Sequence, residues 1–238
     1  VSLIYVIGYV YTVAGFSVGG VIAWILKGVQ KKIDIIYGIC AGLTLGLLSF
    51  EIAPEALILG NWITLILGFF AGVILFQIAH KVLHVLFGAT KNHVKKGALQ
   101  TGILLMLSIT FHNLPIGIVL GANQNSAVKE SLLHTILLHN LPEGIIVFTP
   151  LFIAGLGVWT LFFLTLIISL PVGIGAYIGN SIGIGNPMFW SFAISLAAGT
   201  IYMVTIKEVL LESIKDSSGI LLIAVISFFA IGGFLFLI

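Results

Sequence analysis

The chain of 238 residues is 60% hydrophobic and only 8% charged, with a mean hydropathy of +1.24 and a formal net charge of +2. A water-soluble domain carries about 25% charged residues, so a soluble fold is excluded and a polytopic membrane protein is expected. The small net charge, with no basic patch among aromatics, excludes a nucleic-acid partner, and a single cysteine, Cys40, excludes an internal disulfide framework.

A helix needs about 20 apolar residues to cross the hydrocarbon core. Eight such runs occur, at 2–26 (span 1), 34–57 (span 2), 61–86 (span 3), 98–121 (span 4), 131–153 (span 5), 157–179 (span 6), 187–211 (span 7) and 219–238 (span 8). They predict an all-α membrane protein, a bundle of eight transmembrane helices forming one domain over 1–238. The first run lacks a basic leader and a small-residue cleavage site, so it reads as a spanning helix rather than a signal peptide. The connection at Gly155-Leu156-Gly157 is short and apolar, and a seven-span count is the alternative there.

Lysines set the expected orientation, and the chain has no arginine. Lys27, Lys31 and Lys32 follow span 1; Lys81, Lys91, Lys95 and Lys96 follow span 3; Lys215 follows span 7. These three connections share one side, which is therefore cytoplasmic, with both termini outside. Trp62, Trp159 and Trp190 fall near span ends, where interfacial anchors belong.

Spans 4 and 5 carry one hexapeptide pattern twice, each time about halfway along. It reads His112-Asn113-Leu114-Pro115-Ile116-Gly117 and then His139-Asn140-Leu141-Pro142-Glu143-Gly144. Polar and ionisable residues at membrane depth are costly and usually functional. The short polar loop at 122–130 makes the two spans antiparallel neighbours, so the motifs can meet near the midplane. His139 and Glu143, four residues apart, share one helical face. Histidine nitrogens with a carboxylate suit zinc and similar divalent ions. Pro115 and Pro142 each cost a backbone hydrogen bond, freeing the carbonyls of Phe111 and Leu138, and helices broken at the midplane are a recurring transporter device. A proline kink made only for packing is the plainer alternative, and the second copy on an adjacent span weighs against it. The expectation is an intramembrane metal site on a transport path.

Further ionisable groups line up with that path. Glu51 and Glu55 lie toward the outer end of span 2, and Glu208 and Glu212 toward the inner end of span 7. Glu55 and Glu212 also read as solvated caps, and Lys207 could neutralise Glu208. The connection after span 3 holds His80, His84 and His93, which read either as interfacial side chains or as cation-capturing groups. Together Glu208, Glu212, His80, His84 and His93 form a candidate exit path. His134, near the outer start of span 5, reads as an interfacial residue with an entry ligand as the alternative.

At these residues the chain resembles the ZIP (Zrt-, Irt-like protein) family of divalent metal transporters, most closely its bacterial and GufA-like members. The similarity extends to Ala41–Ala56, like the family's second helix, and to Ala197–Glu212, like its seventh. The resemblance implies a 3+2+3 inverted-repeat bundle, a homodimer, and a prokaryotic plasma (inner) membrane location. It also implies a two-metal centre built from spans 2, 4, 5 and 6, including a span-2 residue near Thr44. This sequence departs from that pattern at two places: Ile116 stands where span 4 usually has an acid, and Val172 where span 6 usually has a glutamate. One metal is therefore expected, held by His112, His139 and Glu143, with water or Glu51 completing the shell and Asn113 and Asn140 as weak ligands or orienting donors.

The function expected from these features is transport of a divalent cation, zinc favoured and iron, manganese and cadmium the alternatives, into the cytoplasm. The metal is cargo, and no catalytic cofactor or enzyme activity is expected. A metal-sensing or inactive homologue is one alternative. An intramembrane metallohydrolase is another, opposed by the missing H-E-x-x-H and by the lack of a general base beside Glu143.

Overall fold

The structure, a computed structural model, describes residues 3–26, 33–87, 94–122, 126–182, 186–214 and 219–237. Within them eight helices are long and apolar enough to cross a membrane: Ile4–Leu26, Asp34–Leu59, Trp62–Val82, Ala98–Ala122, Lys129–Ile153, Val158–Ser181, Pro187–Leu210 and Gly219–Leu237. They coincide in order with spans 1 to 8, and the chain is an integral membrane protein.

The seven-span alternative fails at Gly155. Its φ of 96° is left-handed backbone, open to glycine without penalty. The Leu156 N–H donates to the Leu151 carbonyl (3.1 Å) and the Gly155 N–H to that of Phe152 (3.0 Å), which closes span 5 as a Schellman motif. Span 6 then starts at Val158.

Spans associate in lipid by close packing, since the surrounding tails are as apolar as the side chains. Glycines permit that approach here. A Cβ on Gly121 of span 4 would strike the Ala176 backbone of span 6, and one on Gly179 would strike the Ile118 backbone. Gly15 and Gly19 of span 1 lie against the span 5 backbone at Leu137 and Leu141. The spans sort into two four-helix bodies. Spans 1, 4, 5 and 6 form the first, through 4 on 6, 1 on 5 and 1 on 6; spans 2, 3, 7 and 8 form the second, through 3 on 7 and 2 on 8. The bodies meet chiefly where span 4 lies on span 7 and span 2 on span 5. Exchanging 1–3 with 6–8 and 4 with 5 maps these pairings onto one another, as an inverted repeat requires.

Both prolines of the repeated motif are absorbed without a break. The helices Val94–Ala122 and Ser126–Ile153 run continuously through Pro115 and Pro142. The neighbouring hydrogen bonds and the packed surroundings hold each turn against the loss of one donor. The irregular backbone lies elsewhere. Residues Leu48–Ile52 of span 2 and Thr205–Leu210 of span 7 are π-helical. The Ala53 N–H reaches the Leu48 carbonyl and the Leu211 N–H reaches that of Ile206, five residues back in each case. These turns carry Glu51 and Glu208, and π turns concentrate at functional sites.

Trp62 and Trp159 are exposed, as interfacial anchors should be. Trp190 is not: only 7% of it is accessible. It turns inward against Phe189, with ring centroids 5.0 Å apart, and joins a buried cluster with Ala56 and Ile194.

Candidate metal centre

Span 4 supplies His112 and Asn113, and span 5 supplies His139, Asn140 and Glu143. All five residues are at least 97% buried. His112 Nε2 lies 3.3 Å from Glu143 Oε1, and the His112 and His139 ring centroids are 6.4 Å apart. One ligand atom from each of His112, His139 and Glu143 falls within 4.8 Å of the other two. No other such group of three occurs among the described residues. Donors on a tetrahedral zinc stand about 3.4 Å apart, given bond lengths near 2.0–2.1 Å. The His112–Glu143 separation already matches that spacing.

Hydrogen bonding leaves these groups ready for a cation. His139 Nδ1 lies 2.5 Å from the Thr135 carbonyl. That contact assigns the Nδ1 proton and turns the Nε2 lone pair inward. His139 Nε2, both His112 nitrogens and both Glu143 oxygens are buried without a hydrogen-bond partner. The 3.3 Å His112–Glu143 approach is close enough for an ion pair, yet it lacks hydrogen-bond alignment and does not satisfy either group. Each unsatisfied buried polar atom costs about 1–3 kcal/mol, a cost that a dication bound here would remove.

The asparagines differ. Asn140 Nδ2 donates to the Ile136 carbonyl (2.6 Å), so its Oδ1 is left unpartnered. Neither amide atom of Asn113 has a partner. The Thr44 hydroxyl of span 2 is also buried and unpartnered. Ile116 sits in an apolar cluster with Leu48, Ile52 and Ile136, and Val172 is fully buried against Gly117. The two positions lacking acids are thus filled by hydrocarbon packing.

Glu51 stands apart from the three-residue group. Its Oε1 accepts a hydrogen bond from the Thr135 hydroxyl, one helical turn from His139, and its Oε2 is buried without a partner. Glu51, Glu130, Ser131 and His134 line a cavity of about 600 Å³ at that end of the bundle, the vestibule end. Toward the lysine-rich end, His80 of span 3 meets Glu208 of span 7, Nε2 to Oε1 at 2.9 Å. Lys207 Nζ lies 3.4 Å from His80 Nδ1 and 5.8 Å from the Phe76 ring centre. With the ammonium on Nδ1, the ring donates to Glu208 through Nε2. Lys207 therefore reaches across to span 3 and shares the histidine with Glu208. His93 lies outside the described residues, as do the side chains of His84 and Glu212.

Thr135 is the participant that sequence reasoning missed. Its signal is positional: it stands four residues before a candidate ligand, His139, where its carbonyl faces the ring.

An eight-span membrane protein that encloses unpartnered imidazoles and a carboxylate at mid-depth falls in the class of membrane proteins that handle metal ions. The sequence model of the family described as "ZIP Zinc transporter" matches residues 89–238, which include spans 4 to 8 and both copies of the motif. More than half of the chain is matched, and the chain belongs to that family of divalent metal transporters. No curated protein matches it.

Proposed function

We propose that this protein carries zinc into the cytoplasm through a single-metal site formed by His112, His139 and Glu143. The observation that carries the reading is the set of buried, unpartnered ligand atoms on these residues, gathered within 4.8 Å of one another. Two neutral imidazoles and one carboxylate favour zinc among first-row dications. Three protein ligands leave a fourth position for water or an asparagine oxygen, an arrangement that suits exchange better than storage. Apolar packing at Ile116 and Val172 supports one ion rather than two.

All the ligands belong to the first body. Rocking that body against spans 2, 3, 7 and 8 would expose the site alternately to the two sides. The vestibule end serves as the entrance, consistent with the lysine bias that puts the opposite end in the cytoplasm. Asn113 and Asn140 act as additional oxygen donors, and the His80–Glu208 pair receives the ion on its way out.

Zinc entry into proteoliposomes tests the reading. Entry above that of empty liposomes is expected for the parent, and entry at the empty-liposome level for His139→Ala. Equal entry in both would sink the midplane route, and zinc binding without entry would mark a sensor or an inactive homologue. A second variant tests the single-metal reading. Ile116→Glu puts a carboxylate one turn from His112, so zinc titration should show binding about tenfold tighter, the scale on which supporting groups tune a metal site. Unchanged affinity would mean that position 116 does not face the ion.

A further inference from the structure

We propose that Thr135 is a positioning residue that couples closure of the vestibule end to the metal site, and that a dication in the vestibule releases it. The proposal rests on the transport reading above and names how that site is gated.

The Thr135 side chain is 94% buried on span 5, in the first body. Its hydroxyl donates to Glu51 of span 2, in the second body, so this hydrogen bond crosses the boundary that must open. Its carbonyl faces His139 Nδ1. One residue thus touches both the opposite body and the backing of a ligand. Beside the contact in the chain, Ile52 and Ile136 join Leu48 and Ile116 in one buried apolar cluster drawn from both bodies.

The chemistry makes this contact a latch rather than a fixed tie. The Thr135 hydroxyl has one proton and two acceptors, Glu51 Oε1 and its own helix's Ser131 carbonyl at 3.0 Å. When Glu51 withdraws, the hydroxyl still has the Ser131 carbonyl, so opening leaves no orphaned donor on span 5. Glu51, in contrast, loses its donor. Its Oε2 is already unpartnered, so a cation that meets the released carboxylate can take both oxygens. A dication in the 600 Å³ cavity that Glu51 shares with Glu130 and His134 is placed to do so. The cation thereby binds the released state better than the latched one, which is the condition for a ligand to shift a conformational equilibrium. Glu51 lies in the π turn of span 2, where a surplus residue can be taken up or released as the carboxylate moves.

The test is a distance between bodies at the vestibule end. Spin labels go on Ile58→Cys (span 2, exposed) and Ser126→Cys (the start of span 5, exposed), in a Cys40→Ala background and in lipid nanodiscs. Pulsed electron spin resonance reads the separation. The parent without zinc should show mainly one shorter distance, and zinc should raise the longer one. Thr135→Val, which keeps the branched shape without the hydroxyl, should raise the longer population about fivefold without zinc, as loss of one net hydrogen bond does. Thr135→Ser should restore the parent distribution, which a packing role for the threonine methyl would not do. Glu51→Ala removes the same bond from the other side and should match Thr135→Val, so the test survives misfolding of either variant. Parent-like distances in Thr135→Val and Glu51→Ala would overturn the latch even if the protein transports zinc. A parent distribution unmoved by zinc would overturn release by the cation. If the variants shift but the parent moves no zinc, the latch stands and the transport reading falls.

Discussion

Glu143→Ala should abolish transport, leaving zinc entry at the level of empty liposomes. Glu143 is the one formal negative charge in the three-residue group, and both its oxygens are buried without hydrogen bonds. Without it a dication would rest on two neutral imidazoles in a medium that screens charge poorly. Loss of a supporting residue around a metal already costs about 10–100-fold in affinity, so loss of the charged ligand should cost at least about 100-fold. Glu143→Gln should fail equally, because it keeps the shape and removes the charge. Stability should move the opposite way in the absence of metal. The parent then holds a carboxylate that burial penalises, and the alanine variant is relieved of it. With zinc at about a hundred times the parent's Kd, the parent should gain about 2.7 kcal/mol by linkage and the variant no more than about 0.4 kcal/mol. Thermal melts in detergent, with and without zinc, check the crossover. A variant that gains as much stability from zinc as the parent would place the ion elsewhere.

The other large effect is expected far from any ligand, at Gly121. A Cβ there would meet the backbone carbonyl, carbonyl carbon and Cα of Ala176, atoms that cannot rotate away. Gly121→Leu must therefore separate span 4 from span 6. Overpacking a tight interior costs about 1–3 kcal/mol, and a whole leucine against backbone should reach the upper end of that range. His112 rides on the same helix, so zinc affinity should fall with stability. Gly233→Ala in span 8 is the matched control. Nothing lies within 4 Å of its added Cβ, so the change should be neutral or slightly stabilising. A melting temperature for Gly121→Leu equal to that of Gly233→Ala would mean that spans 4 and 6 are not packed this closely.

What could be read from the sequence follows one physical line. The cost of a polar atom at membrane depth singles out His112, His139 and Glu143 as candidates, because lipid offers such atoms no alternative partner. Helical spacing adds the shared face of His139 and Glu143. The pairing of His80 with Glu208 lay beyond that reasoning: both residues stand out along the chain, but spacing says nothing about which spans touch. Trp190 illustrates the same limit, since its place at a span end does not tell which way the ring turns. The π turns were invisible because one extra residue in an apolar run leaves its hydrophobicity unchanged. Pro115 and Pro142 suggested broken helices, and the packing around them kept the helices whole.

The self-matching pattern of helix pairings has an energetic consequence. Any conformation in which spans 1–3 take one arrangement and 6–8 another has a counterpart with the two exchanged, open to the opposite face and packed through equivalent contacts. Two such forms differ in free energy only through residues that break the repeat. Beside the Ile116–Glu143 difference between the two motifs, one break falls at the matched π turns: Glu51 holds a threonine of the other body, whereas Glu208 holds a histidine within its own. A preference of about 1.4 kcal/mol is a tenfold bias in population. If the two bodies rock as proposed, a few hydrogen bonds at the two mouths would weight the side on which the empty protein waits, and changing them should shift that waiting state without altering the fold.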